Sequence, residues 1–509
     1  VAGVNILPKP QEVTTLEGTT TLQSPLRVCA REWRDEVGAW AEDLAKSTHI
    51  EVEFVEDDDA DIVFNLASDL DGYRLHIDGQ IRVECAWSDG VIQALTSLRL
   101  LGPAELYSAQ RIDLTSFEVP NCEINDWPAF GWRGAHLDVA RHFWDIATIE
   151  RYVDLLVMHK LNILHLHLND DQGWRVEIPN WPKLTSVGGW RNGSPVGHED
   201  NDVRDTIRHG GFYTREELEG LARYCALRGV SIVPEIDLPG HAQAVIAAYP
   251  ELGNYPETQL EVWEHWGISD HVLTVSAAAL DFAVEVVSYV AGIFPNATVH
   301  IGGDECPTTE WEVSDLAASV MELNGFDSAQ QLQGLFTSRL SEVLEESGHQ
   351  VIAWDEVLDA EVPETTVIAA WRSEEKGVEA ALRGHYVVMM PMQYLYFDWL
   401  SSESPSEPVA VHPAPFVTTW EKVYSYNVIP AELNSLQRKQ ILGAQAQLWT
   451  EYIATRDRMD YMAFPRLSAF SEVVWGTKED LPAFRPRLVR HLARLGSAGV
   501  QFRPLDSGE

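Results

Sequence analysis

The chain has 509 residues, and 78 acidic against 37 basic side chains leave a formal charge of −41 at pH 7. With 45% hydrophobic and 23% charged residues, its composition is that of a folded protein large enough to bury a core without disulfide staples. The negative balance argues against nucleic acid and anionic membranes as partners, since both select basic faces, and no stretch approaches the roughly 18–20 apolar residues of a membrane span.

Five cysteines (Cys29, Cys85, Cys122, Cys225 and Cys306) are an odd number without zinc-type spacing and read as free thiols. Free thiols suit a reducing compartment, and residues 1–10 lack the charged and apolar regions of a secretory signal. The expectation is a cytoplasmic protein; secretion with a leader already removed is the alternative.

In chain order, residues 1–125 read as a small α+β domain. Tyr73-Arg-Leu-His-Ile77, Asp78-Gly79 and Gln80-Ile-Arg-Val-Glu84 predict a β-hairpin with a two-residue type I′ turn. Residues 88–101 carry helical spacing, with Ser88 as the expected N-cap. The Pro-, Asn- and Asp-rich segment 119–128 reads as a linker. From Gly131 the rhythm becomes short apolar strands separated by long helices. Strands are expected at 133–139, 163–169, 230–237, 298–303, 350–354, 367–371, 386–390 and 442–448. Helices are expected at about 148–159, 277–294 and 328–347, and another opens on the capping box Thr214/Glu217. Eight βα units predict a (β/α)8 TIM barrel catalytic domain over residues 126–509, closed by C-terminal helices, with a doubly wound open sheet as runner-up. The long insertion at 180–212 is expected to face substrate.

Functional residues of a barrel sit where strands end. Those ends carry Asp138, Arg141, Asp170, Asp171, Glu235, Asp237, His241, Asp304, Glu305, Trp354, Asp355, Glu356, Trp371, Arg372, Tyr394, Tyr396, Asp398, Trp449 and Glu451. Carboxylates among tryptophans are the chemistry of carbohydrate recognition. In His300-Ile-Gly-Gly-Asp-Glu-Cys306 two glycines let the backbone turn sharply before an acidic pair. Neighbouring Cα atoms about 3.8 Å apart do not readily flank a glycosidic bond as two carboxyls about 5–5.5 Å apart would. Asp304 and Glu305 therefore read as dividing labour, against the competing reading of a solvated Asp-Glu pair. A metal site is disfavoured, since no second histidine cluster stands at ligand spacing. His165 and His167 alternate on one strand and read as barrel-interior residues.

Five ordered motifs carry a resemblance: Arg133-Gly-Ala-His-Leu-Asp-Val-Ala-Arg-His142, His165-Leu-His-Leu-Asn-Asp-Asp-Gln-Gly-Trp174, Pro234-Glu-Ile-Asp-Leu-Pro-Gly-His241, His300-Ile-Gly-Gly-Asp-Glu305 and Gln445-Ala-Gln-Leu-Trp-Thr-Glu451. From Leu7-Pro-Lys-Pro10 through the last barrel strand the chain resembles glycoside hydrolase family 20 β-N-acetylhexosaminidases. The resemblance implies exo-acting, retaining, substrate-assisted hydrolysis of terminal GlcNAc, with GalNAc as a second candidate, without cofactor or metal. It implies Glu305 as general acid and base, Asp304 as the acetamido partner, and Asp170 with His241 as the pair that tunes the acid. Tyr396 would bond the acetamido oxygen, with Tyr394 as a competing register. Trp354, Trp371 and Trp449 would wall the acetamido group, while Arg141, Asp398 and Glu451 would hold sugar hydroxyls. The implied partner is an amino-sugar oligosaccharide or glycoconjugate, bound by a monomer or homodimer. Trp420 departs from the pattern, where a smaller apolar residue is expected on the leaving-group side. A lacto-N-biosidase-like relative that releases a disaccharide and a non-catalytic sugar-binding protein are the rival readings.

Overall fold

The computed structural model describes residues 4–197, 203–295, 297–360, 362–410 and 416–506. The N-terminal body is a seven-stranded sheet built from β1 (Glu12–Gln23), β2 (Leu26–Cys29), β3 (Val52–Phe54), β4 (Ile62–Leu66), β5 (Tyr73–Asp78), β6 (Gln80–Cys85) and β7 (Ser116–Asp126). Its order is β1-β7-β5-β6-β4-β2-β3. Helices α1 (Arg34–Ser47) and α2 (Ser88–Leu101) pack on it through Val37, Trp40, Leu44, Val91, Leu95 and Leu98.

Local expectations here shift for identifiable reasons. The hairpin forms, but Ile77 pairs with Ile81 and Asp78 with Gln80, around Gly79 alone at φ +73°. The two-residue turn would have set Ile77 opposite Gln80; the observed register stacks Tyr73, Leu75 and Ile77 against Cys85, Val83 and Ile81 on the buried face, so hydrophobic register overrides turn preference. Ser88 lies inside α2, whose N-cap is Trp87. Most of the supposed linker is strand β7, because Val119, Cys122 and Ile124 are core residues paired to β1 and β5.

The second body is a closed barrel of eight strands: β8 (Trp132–Asp138), β9 (Ile163–His167), β10 (Ser231–Glu235), β11 (Thr298–His300), β12 (Gln350–Trp354), β13 (Val367–Ala370), β14 (Val387–Met389) and β15 (Ile441–Ala446). All pair in parallel, and β15 closes on β8 through Gly443–Trp132 to Ala446–Ala135. The open-sheet runner-up falls on this closure. Alternation along each strand sorts side chains between two cores. Leu164, Leu166, Ile232, Val351 and Ala353 meet the surrounding helices, among them α3 (Ile146–Met158), α4 (Arg215–Ala226), α5 (Ala277–Ala291) and α6 (Gln333–Glu346). Ile163, Val233, Ile352, Val367 and Val388 point into the lumen with Trp354 and Trp449. α4 opens on the Thr214/Glu217 capping box as expected. All five cysteines are free and buried.

A buried ion pair joins the two bodies. Lys160, at φ +54° just after α3, places Nζ 2.7 Å from Asp126 Oδ2 at the end of β7 and 3.1 Å from the Tyr73 hydroxyl. The indole N–H of Trp475, at the end of helix α7 (Arg466–Trp475), reaches Asp126 Oδ1 at 2.8 Å. Both charged side chains are fully buried. Removing one partner of such a pair strands the other in a dry interior, at a cost of about 3–5 kcal/mol. Lys160→Met is therefore expected to destabilise the protein by that amount in chemical denaturation; an unchanged midpoint would show that this ion pair adds nothing to stability.

Candidate active site

Seven of the eight expected strands overran their C-terminal ends, while 350–354 forms as expected; the site is built where the strands stop and just beyond. β11 stops at His300; Gly302 and Gly303 then take φ +67° and +98°, and Glu305 takes φ +44°. A Cβ on Gly302 would sit 1.8 Å from Asp237 Oδ1, so only glycine fits both the left-handed backbone and the close approach. The N–H of Gly303 donates to Asp237 Oδ1 at 2.9 Å, and Gln333 Nε2 holds the Gly303 carbonyl at 2.6 Å. This turn sends the two acids into different surroundings. The Asp304 side chain is 11% exposed and that of Glu305 38%.

His241, itself at φ +46°, lies between them and a buried carboxylate. Its Nδ1 is 3.1 Å from Asp170 Oδ1, and its Nε2 is 3.5 Å from Asp304 Oδ2 and 3.8 Å from Glu305 Oε2. Non-glycine residues at positive φ cluster at functional sites, where surrounding structure holds the strain; His241 and Glu305 are two of the three such residues among those described. Burial opposes charge on His241, but Asp170 and then Asp304 hold its proton affinity well above the usual imidazole range. Burial, followed by the charge of Asp237, pushes the Asp304 carboxyl well up, and burial lifts Asp237 to about 7. Asp237 Oδ2 and Asp304 Oδ1 have no hydrogen-bond partner among the described residues.

Arg141, beyond β8, is 8% exposed and stands over the Trp449 ring with 5.1 Å to its centroid. Its guanidinium meets Asp138 at 3.1 Å, Asp170 at 2.8 Å, Gln172 at 2.9 Å and Glu451 at 3.7 Å. The fork expected to face substrate is therefore already fixed on three sides by the protein. Glu451 Oε2 and Asp398 Oδ1 are buried without a protein donor among the described residues. Burial raises both carboxyls, Asp398 well above its usual range with Glu451 adding to the rise.

The aromatic group forms as expected, with one change of role. Trp371 stacks on Tyr396 at 5.9 Å and 16°, and Trp449 lies 6.2 Å from Tyr396 and 6.0 Å from Trp354. Trp354 is 1% exposed and gives its indole N–H to Glu235 at 2.7 Å, so it is a floor more than a wall. Trp371 is held by Glu356 through its indole and by Asp355 through its backbone. Tyr396 stays a neutral phenol, because burial and then Asp398 raise it well above its usual range. Tyr394 lies against Tyr426 at 5.1 Å, apart from the Trp371–Tyr396 stack. Trp420 is also elsewhere: it packs 5.9 Å from Phe484 of helix α8 (Leu481–Ser497), so it does not disturb the pocket.

Several contributors escaped sequence reasoning. His136 lies 4.3 Å from Trp449, Gln172 orients Arg141, and Asn169 clamps the Asp237 backbone at 2.8 and 2.9 Å. The signal for His136 was its two-residue spacing from Asp138 on one strand, which puts both on one face. The 180–212 insertion acts from behind: Arg191 bonds the Arg141 and Gln172 carbonyls, while residues 198–202 lie outside the described set. Four groups bring three ligand-capable atoms within 4.8 Å of one another, including His165/Glu235/His300 and Asp237/His241/Asp304. In the first of these, His165 Nε2 and His300 Nδ1 face Glu235 at 3.0 and 3.2 Å.

A family model described as "Glycosyl hydrolase family 20, catalytic domain" matches residues 130–478, and one described as "Glycosyl hydrolase family 20, domain 2" matches residues 3–127. The chain belongs to glycosyl hydrolase family 20. Its N-terminal body and barrel share the β-hexosaminidase scaffold. The β-hexosaminidase of Porphyromonas gingivalis is 34% identical over 98% of this chain, which spans 64% of that relative's length. That of Vibrio furnissii is 34% identical over 92% of this chain and 76% of its own length. Among solved structures, the exo β-N-acetylglucosaminidase of Vibrio harveyi in complex with N-acetylglucosamine superposes with a TM-score of 0.87 at 32% identity, covering 99% of this chain and 79% of that one. The N-acetyl-β-hexosaminidase of Streptomyces plicatus gives 0.83 at 26% identity, covering 98% of this chain and 96% of that one.

The glycine turn makes a sharp prediction. Displacing catalytic groups by about 1 Å costs on the order of 10²-fold in turnover. Gly302→Ala should lose at least that much glycosidase activity while its circular dichroism stays native, and an alanine variant of normal activity would show that Asp237 can move aside freely.

Proposed function

We propose that this protein is an exo-acting, retaining β-N-acetylhexosaminidase that removes terminal β-linked GlcNAc, with GalNAc as a second substrate, by substrate-assisted catalysis. The observation that carries this reading is the divided surroundings of Asp304 and Glu305, one buried beside Asp237 and the aromatic cluster, the other half-exposed at the mouth. Adjacent carboxyls so placed serve different atoms. The sugar's own acetamido oxygen attacks the anomeric carbon, as in the known exceptions to the two-carboxylate rule. Glu305 protonates the departing oxygen and later takes a proton from water, with His241 at 3.8 Å as its neighbour. Asp304 accepts the acetamido N–H and balances the cation formed by ring closure. Tyr396 donates its hydroxyl to the acetamido oxygen. Trp371 and Trp449, over the Trp354 floor, enclose the acetamido methyl and keep water from the closing ring.

Arg141, Asp398 and Glu451 hold the hydroxyls of the terminal sugar. Two buried carboxylate oxygens without protein donors, on Asp398 and Glu451, suit hydroxyl donors from a ligand. Such contacts close the far end of the pocket, which favours removal of one sugar over release of a disaccharide. Hydrolysis of a p-nitrophenyl GlcNAc glycoside tests the reading directly. Neither a disaccharide-releasing relative nor a non-catalytic binder should liberate nitrophenol.

Glu305→Gln should abolish turnover of substrates with poor leaving groups and spare part of the activity on activated aryl glycosides, because a phenolate departs with little protonation. The gap should approach about 10²–10⁴-fold, the typical worth of general acid–base help; equal losses on both substrate types would count against the acid role.

Asp304→Asn keeps the size and removes the charge. The loss should be about 10²–10³-fold and should persist with an activated leaving group, since ring closure itself is impaired. A thiazoline mimic of the cyclised intermediate should bind the wild type far more tightly than this variant. A covalent 2-fluoro-sugar adduct on Asp304 in intact mass spectra would instead make it a conventional nucleophile.

A further inference from the structure

The chemistry proposed above uses Asp170, His241, Asp304 and Glu305, yet a histidine and a glutamate lie beneath them in the dry lumen. His167 is 1% exposed and Glu235 0%. His167 Nδ1 lies 2.5 Å from Glu235 Oε2, and its Nε2 lies 2.7 Å from Asp170 Oδ2. A neutral imidazole has one N–H and one lone pair, so it can satisfy only one of two carboxylates. Either the ring carries both protons or one carboxyl carries one.

The other partners decide between these. Glu235 also accepts from the Trp354 indole at 2.7 Å and faces His165 Nε2 at 3.0 Å. Asp170 accepts from the Asp171 backbone at 2.6 Å and meets Arg141 at 2.8 Å and His241 at 3.1 Å. Donor sets of this kind stabilise the ionised carboxylate. We propose that His167 is a fixed imidazolium and that, with Glu235, it is a positioning residue for the Asp170–His241 pair and through it for the proton on Glu305. The last step rests on reading Glu305 as the acid and base.

The result is a buried row of alternating charge, Glu235, His167, Asp170 and His241, ending 3.8 Å from Glu305. Burial would strip His167 of its charge, but Glu235 and then Asp170 hold its proton affinity up at about 10. Arg141, then His241 and His167, keep Asp170 well below its usual range despite burial. Groups facing His167 from other elements do not replace its charge. From β8, His136 is 5.9 Å away and kept neutral by burial, and Asp138 is engaged by Arg141. From its own strand, His165 is lowered by burial to about 4, and His300 stacks on His165 and faces Glu235 at 3.2 Å. Without the imidazolium, Asp170 would be less neutralised, would hold the His241 proton more tightly, and would raise the proton affinity of Glu305 through the added negative potential.

A neutron structure of the wild type at neutral pD tests the charge itself. Deuterons are expected on both Nδ1 and Nε2 of His167 and on neither Glu235 nor Asp170; one deuteron on the ring, with another on a carboxyl, would overturn the assignment. The coupling is read from the pH dependence of kcat/KM on a β-linked GlcNAc glycoside with a poor sugar leaving group, whose departure needs the Glu305 proton. His167→Gln should move the alkaline limb upward by on the order of half to one pH unit, the effect of a missing nearby charge. The double variant Glu235→Gln/His167→Gln removes both charges and should bring the limb back toward its wild-type position. Limbs unmoved in both variants, with activity merely falling, would reduce His167 to a packing role. If neither variant folds, the neutron result still decides the charge. Failure of the wild type to hydrolyse the glycoside would sink the proposed activity and leave the neutron result standing, so the two failures are separable.

Discussion

The cost of burying charge governs the mouth of this barrel. Asp138, Asp170, Glu235, Asp237 and Asp304 are each 8% exposed or less, and an isolated carboxylate in such surroundings would neutralise itself. The chain keeps selected ones ionised by giving them cations and N–H donors: Arg141 and His241 for Asp170, and His165, His167 and Trp354 for Glu235. Where donors are withheld, as between Asp237 and Asp304 or at Asp398, burial raises proton affinity instead. One lumen thus holds carboxyls of opposite disposition a few ångströms apart, which is the condition for acid and base work at one pH.

The backbone serves that electrostatic arrangement. Gly302 and Gly303 allow β11 to end in a turn tight enough for Asp237 to bond the chain directly, and Glu305 pays for its exposed position with a left-handed backbone. The Trp354 backbone N–H takes the Gly302 carbonyl at 3.0 Å while its indole reaches Glu235, so the aromatic floor, the acid turn and the buried charge row form one connected unit. Trp371 above it is oriented by carboxylates from the preceding strand end, its indole by Glu356 and its backbone by Asp355.

Outside the barrel, the N-terminal sheet is tied in through a small number of polar residues. Lys160 and Asp126, with Tyr73 and Trp475 around them, join strand β7 to helices α3 and α7 through a fully buried ion pair. Its place under α3 and away from the strand ends gives the N-terminal body a structural hold on the barrel without a residue in the site.

Strand alternation, helix spacing and the Thr214/Glu217 cap are local properties, so the eight strands and the fold class could be read from order alone, as could the acidic pair after Gly302-Gly303. The register of the β5–β6 hairpin could not, because burial of Ile77 and Ile81 outweighed the turn preference of Asp78-Gly79. Nor could the strand character of β7, whose Pro, Asn and Asp content masks a buried face. Tyr394 and Tyr396 are two residues apart and indistinguishable as letters; the fold packs one against Tyr426 and stacks the other on Trp371. The partners of each charge were equally hidden. Glu235 and His167 lie 68 positions apart, and Arg141 and Glu451 farther still, yet closure of the barrel brings them within reach. Residue types and strand-end positions follow from short-range chemistry, whereas proton affinities depend on long-range neighbours and on exclusion of water, which exist only once the barrel has closed.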